Sequence, residues 1–135
     1  MYISDNKAEH GLPGDIVDLL VTLKDPKQWV DIRSGLTLSS TNFMVPVTAR
    51  FQAVIYLYDI NTPILKGTRC DFHFGPNAES GILKRINFQK DPLTLENLKK
   101  NPRFLLSKMA AAVEIVLDRE MCLELEMNFA SLGKF

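Results

Sequence analysis

The 135-residue chain is short of the side chains on which most catalytic chemistry depends, with two cysteines, two histidines and one tryptophan. Cys70 and Cys122 are too few for a disulfide framework and suit a reducing compartment. No apolar run approaches the roughly eighteen residues that a bilayer span needs. Tyr2-Ile3-Ser4-Asp5-Asn6 also lacks the basic head and apolar middle of a secretory signal. These absences predict a cytoplasmic protein with no membrane partner. An excess of charge of one sign is missing too. Sixteen basic residues face 16 acidic ones, so no overall positive field draws the chain to nucleic acid, and any such contact needs a local patch. Nor is there a G-x-x-x-x-G-K-[S/T] loop, whose backbone amides and lysine would grip nucleotide phosphates.

What is present is alternation. With 46% apolar and 24% charged residues the composition is that of a globular chain, and period two recurs where a helix would need period 3.6. Ala49, Phe51, Ala53, Ile55 and Leu57 share one face of a strand, with Arg50, Gln52 and Tyr56 on the other. Met109, Ala111, Val113, Ile115 and Leu117 repeat the pattern. After the break Asp118-Arg119-Glu120, so do Met121, Leu123, Leu125 and Met127, and these two runs are expected to pair as a hairpin. Further strands are predicted over 15–23, 69–74 and 81–88, bounded by Gly, Pro, Asn or Asp. Residues 92–101 read as a long surface loop. The fold class predicted is all-β, a small antiparallel barrel. Residues 1–43 are too few for a core of their own and are taken as the end of one barrel, with 44–135 as most of a second.

Candidate reactive groups converge poorly. His10 sits in a polar, turn-rich opening. Cys70 and His73 form a C-x-x-H pair whose odd spacing on a strand sends the side chains to opposite faces, so one metal does not reach both. Cys122 reads as a packing thiol with no base beside it, and Glu124 and Glu126 as the wet side of a strand. No catalytic, cofactor-binding or metal-binding residue is therefore assigned. Phe72, Phe74, Phe88 and Phe104 alternate with polar neighbours as core residues do, which argues against a base-stacking platform. Trp29 is either a packing anchor or a partner contact. The charge distribution says more. Between Lys84 and Lys108 seven cations face only Asp91 and Glu96, while 114–126 is mostly acidic. Lys84, Arg85, Lys99, Lys100 and Arg103 are the candidate contacts to phosphates of RNA or to a protein partner, positioning the module without reading sequence.

The order of signals resembles the end of domain II and nearly all of domain III of translational GTPases related to elongation factor 1-alpha. Leu12-Pro13-Gly14-Asp15 is similar to that family's entry into a strand, and Asp31-Ile32-Arg33-Ser34-Gly35 to the approach to its last domain II strand. Ala49-Arg50-Phe51-Gln52-Ala53, Pro63-Ile64-Leu65-Lys66-Gly67, His73 and Ala78-Glu79 leading to Ile82-Leu83-Lys84-Arg85-Ile86 look most like the ribosome-rescue branch, the Hbs family and its Ski-complex relative. Asn101-Pro102-Arg103-Phe104-Leu105, Met121-Cys122-Leu123-Glu124 and Leu132-Gly133-Lys134-Phe135 continue the match. The resemblance implies a barrel lacking its final strand pair, which leaves sheet edges open. It implies a Pelota-type or release-factor-like partner, contact with ribosome or tRNA, and attachment to the G domain of a full-length parent, where GTP and Mg would bind. Asn6-Lys7-Ala8-Glu9 echoes a guanine-reading N-K-x-D but carries one methylene too many and has no phosphate loop to serve, so it is read as coincidence. The chain alone is expected not to hydrolyse GTP. The alternatives are a fragment of elongation factor 1-alpha or of a release-factor GTPase, binding aminoacyl-tRNA or a termination factor, and an accessory barrel from the GTPase subunit of a sulfate-activating enzyme.

Overall fold

The computed structural model describes residues 2–3, 6–7, 10–12, 15–25, 27, 29 and 32–128. Two compact units divide the chain, Met1–Ser34 and Gly35–Phe135. Among its described residues the first contains three two-residue strands, with β1 (Tyr2–Ile3) pairing antiparallel with both β2 (Asn6–Lys7) and β3 (Val17–Asp18). The strand expected over 15–23 is thus reduced to two residues. Its register on β1 ends at Val17 and Asp18, and beyond it Leu19 and Leu20 stand exposed. Pro13, Gly14 and Asp31, with which the first unit's two family-like segments were read, lie outside the described residues, as does 132–135. Asp15 still closes a turn, accepting from the Leu12 amide at 2.8 Å.

In the second unit the alternation fixes both the strands and the face they bury. The strands are β4 (Val47–Tyr56), β5 (Ile64–Leu65), β6 (Arg69–Phe74), β7 (Asn77–Lys90), β8 (Asn97–Lys100), β9 (Phe104–Leu105) and β10 (Ala110–Cys122). The main sheet runs β4-β10-β7-β6, every pair antiparallel, with β8 also on β7 and β5 paired with β9. Among the described residues there is no α-helix and the sheet does not close. Leu57, Phe72, Leu83, Ile86, Leu105, Ala111, Val113, Ile115 and Leu117 form the core, with Ala49, Phe51, Ala53 and Ile55 packed against it. Both inward rows expected from the alternation, on β4 and β10, face it.

The expected hairpin between the two halves of 109–127 does not form. β10 runs continuously through Asp118, Arg119 and Glu120, and its register on β4 shifts between Val116 and Met121, so the polar break is absorbed as an irregularity within one strand. Its partners are β4 and β7. Met121 and Leu123 still pack on the core, but Leu125 and Met127 are exposed, and so is Cys122, which is no packing thiol. The 92–101 loop is also corrected. Asp91 accepts from the amides of Leu93 and Thr94, Leu95 takes a positive φ, and the chain returns as β8 against the end of β7.

Candidate functional site

The long strand β7 builds the site. Its first half pairs with β6 through Asn77–Ile82 and its last residues with β8 through Phe88–Lys90. Both partners lie on the edge opposite β10, one after the other, and β7 bridges the interval with register shifts against β10 near Lys84 and Asn87. Such irregularities re-aim side chains that a regular pleat would alternate. The result is an open concavity of about 440 Å³ lined by Lys66, Arg85, Ile86, Asn101, Pro102 and Arg103. Lys66 follows β5, and Asn101 to Arg103 link β8 to β9. Asn101 adopts φ 47°, a left-handed conformation that Asn tolerates, and its amide donates to the Asn87 carbonyl at 2.9 Å. This turn buries Pro102 and brings Arg103 to the mouth.

Arg85 and Arg103, two of the five predicted contact residues, meet here. Lys84 is exposed beside them on the β7 irregularity, and Lys99 and Lys100 are exposed on β8, but none of the three lines the concavity. Sequence reasoning missed Lys66. It lies outside the basic 84–108 window and is brought to the site by the β5–β9 pairing, which sets Leu65 opposite Phe104, and by the Gly67 amide donating to the Leu83 carbonyl on β7 at 2.8 Å. The signal for it was local, a lysine in the Lys66–Gly67 turn that follows β5.

The charge state of the site follows from how the other cations are used. Arg50 pairs with Glu114, Arg69 with Asp118 and Lys108 with Asp59, while Lys90 donates to the Leu95 carbonyl. Lys66, Arg85 and Arg103 form no ion pair among the described residues, and no acidic residue lines their concavity. A second concavity, about 350 Å³ beside Arg50, Phe51, Gln52 and Glu114, differs in that its two charges neutralise each other. The first can attract an anion at short range.

Elsewhere the groups are dispersed. Cys70 packs on the core and its thiol pKa is raised, chiefly by burial and then by the Asp71 carboxylate, while His73 is exposed. No group of three metal-binding side chains occurs among the described residues. Phe72 is buried and Phe74 and Phe88 are half-buried, but Phe104, expected in the core, is 48% exposed. On the two-residue strand β9 one residue must face out, and Leu105, fully buried, takes the inner place. Trp29 is 51% exposed.

A family model described as the GTP-eEF1A C-terminal domain-like family matches residues 50–135. The chain belongs to this family. Protein HBS1 of Drosophila melanogaster is 30% identical over 104 residues, which is 77% of this chain and 16% of that protein. The eukaryotic peptide chain release factor GTP-binding subunit of Schizosaccharomyces pombe is 26% identical over 98% of the chain and 19% of its own length. Elongation factor 1-alpha of Sulfurisphaera tokodaii is 28% identical over 96% of the chain and 29% of its own. The crystal structure of sup35 complexed with GDP superposes with a TM-score of 0.68 at 26% identity, covering 76% of this chain and 25% of that one. The chain therefore spans under a third of each of these relatives, and its likeness is to the C-terminal β-region of translation factors. Among the described residues no helix is long and apolar enough to cross a membrane.

Proposed function

We propose that the chain is the non-catalytic barrel region of a cytoplasmic translational GTPase of the ribosome-rescue and mRNA-surveillance type. In this reading residues 1–43 are the end of a domain II-like barrel and 44–135 a domain III-like barrel. It binds no nucleotide itself, and GTP and Mg belong to the G domain of a full-length parent. Its work is contact, with a Pelota-type or release-factor-like protein and with ribosome or tRNA. The observation that carries the reading is the gap between β6 and β8. Three cations line one concavity there, and no acidic residue lines it with them. A cluster of one sign in a concave site raises the local concentration of anions and favours an anionic partner. Similarity to protein HBS1 favours the rescue branch, while the release-factor subunit aligns over 98% of the chain and keeps a termination partner as the second reading.

The test is co-sedimentation with ribosomes, and pull-down by a Pelota-type protein, comparing the chain with a Lys66→Gln, Arg103→Gln double variant. Both side chains are exposed, so the variant keeps the core. Arg85 is left in place because it stands opposite buried Glu114 across the β7–β10 ladder. Association should fall at least severalfold in the variant. Equal recovery of both proteins at low salt would dispose of the concavity's role, and preferential capture by a termination factor would favour the second reading.

A further inference from the structure

The outer face of the main sheet carries a surface of its own. Residues directly opposed across an antiparallel ladder project to the same side, and the register through β4, β10 and β7 sets three such rows next to one another. Tyr56 faces Ala110 and Lys90, Val54 faces Ala112 and Phe88, and Gln52 faces Glu114 and Arg85. Lys100 on β8 extends the middle row beyond Phe88. The core draws on the other side of the same strands, through Ala53, Ile55, Ala111 and Val113, so these rows point away from it. Val54 is 52% and Tyr56 44% exposed, and the Tyr56 ring meets that of exposed Tyr58 edge to face at 5.0 Å. Along the central strand the first two rows narrow to alanine. Ala110 and Ala112 make a low floor between larger side chains on β4 and β7, two strands whose axes lie about 10 Å apart. The β7–β8 side of this trough is bordered by exposed Lys100 and by Lys90, whose ammonium the Leu95 carbonyl holds at 2.7 Å. Neither lysine forms an ion pair among the described residues, and Glu114, on the polar third row, is taken by Arg50.

We propose that this trough docks an amphipathic helix of a protein partner, whose apolar side chains lie on Val54, Tyr56 and Ala112 while carboxylates along one flank meet Lys90 and Lys100. The inference rests on the reading of the unit as a contact module and names a surface for that contact apart from the concavity. Charge complementarity sets the flank, since a cationic border calls for an acidic one. The backbone sets the secondary structure of the occupant. Because β10 is paired on both sides, the floor offers no free donor or acceptor. An added strand needs a free edge, whereas a helix satisfies its own backbone groups and, at about 10–12 Å across with its side chains, matches the spacing of the walls. RNA fits less well. A base stacks on an open ring face, and the edge-to-face contact of the two tyrosines already occupies one, with aliphatic Val54 and Ala112 between them and Phe88. Tyrosine is also among the residues on which protein interfaces concentrate their binding energy.

The test titrates the full chain into a fluorescein-labelled helical peptide with Leu and Ala on one face and Glu along one flank, followed by anisotropy. The same peptide with Gln for Glu and single-stranded oligo(U) serve as the other probes. The acidic peptide should bind, Tyr56→Ala should weaken it about tenfold, the loss expected at an interface anchor, and Lys100→Gln should weaken it severalfold. The Lys66→Gln, Arg103→Gln variant should bind it as the unaltered chain does. Tyr56 and Lys100 project from the outer face, so both variants keep the core, which an unchanged thermal midpoint verifies. Should Tyr56→Ala lower that midpoint, Lys100→Gln and the Gln peptide decide. Peptide affinity insensitive to both substitutions, equal binding of the Gln peptide, or oligo(U) binding that outcompetes the peptide and is lost in Tyr56→Ala would each overturn the proposal, the last in favour of RNA. Self-association in sedimentation that Tyr56→Ala abolishes would overturn it in favour of a second copy of this chain. No peptide binding by a chain that still sediments with ribosomes would overturn this inference alone, whereas loss of both would remove the contact module with it.

Discussion

Removing the guanidinium of Arg50 measures how much the outer face of the sheet depends on one ion pair. Glu114 lies mid-strand in β10, where its side chain retains 8% of its exposure, and Arg50 on β4 covers it while itself remaining 68% exposed. Exposed pairs contribute about 0–1 kcal/mol, and stripping the partner from a buried charge costs about 3–5 kcal/mol. This pair falls between, because the open concavity of about 350 Å³ beside it lets water follow the truncation. Arg50→Ala should therefore cost about 1–2 kcal/mol, a fall of about 5–15 °C in Tm for a unit of this size. Glu114→Gln removes the charge and should cost less. The double variant should be more stable than the sum of the singles by about 1 kcal/mol, measured as urea midpoints with an unchanged m value. Coupling within 0.3 kcal/mol of zero would show that Glu114 draws its compensation from elsewhere, Arg85 across the ladder being the nearest candidate, and the reasoning would fail.

Gly81 packs where a Cβ would come within 2.7 Å of the Val116 carbonyl and 3.0 Å of the Leu117 Cα, both backbone. Gly81→Ala should destabilise by about 1–3 kcal/mol, read as a lowered urea midpoint, and a neutral result would mean that β7 and β10 separate at little cost. The Asp91 carboxyl is held below its ordinary value of 3.8, first by the amides of Thr94 and then of Leu93. A depressed pKa adds stability above the unfolded value that is lost as pH falls through the folded one. The turn before β8 should thus loosen only below about pH 4, seen as earlier hydrogen exchange at Asn97 to Lys100 than in the rest of the sheet, and Asp91→Asn should show that exchange already at neutral pH. Cys70, its pKa raised mainly by burial, should be alkylated at neutral pH much more slowly than exposed Cys122. A Cys122→Ser variant isolates the slow thiol, and fast labelling of that variant would contradict the packing assigned to it.

The strands that pack through a complete alternating face were legible in the sequence. Arg69–Phe74 was located to the residue, and the inward rows of β4 and β10 were read correctly because burial of one face leaves only one register. Where pairing rather than pattern decides, the reading failed. Asp118-Arg119-Glu120 carries the polarity of a turn, yet two flanking ladders hold β10 through it. Leu95 to Lys100 has no alternation to recognise, and β8 exists because the Asp91 turn returns the chain to the exposed end of β7. The site was half legible for the same reason. A run of cations marked Arg85 and Arg103, but Lys66 and the outward Phe104 depend on the β5–β9 pairing, which brings together residues some forty positions apart.

The β4 edge and the gap that β6 and β8 leave along β7 are not equivalent, and the difference bears on how the second unit makes contacts. At the β4 edge the Thr48 hydroxyl accepts from the Arg50 amide at 3.1 Å and donates to the Arg50 carbonyl at 3.0 Å. Groups that would template another strand are thereby occupied by a neighbouring side chain, one way of blunting an edge. Along β7 the groups flanking the gap are also used, with the Leu83 amide and carbonyl bonded to Thr68 and Gly67 and the Asn87 carbonyl to Asn101. What lines the gap most prominently is cationic side chain, Lys66, Arg85 and Arg103. A partner that reads side chains is recognised by its charge and shape, whereas strand addition accepts almost any extended backbone. The same pairings that hold β7 to its neighbours thus favour a selective contact over an indiscriminate one.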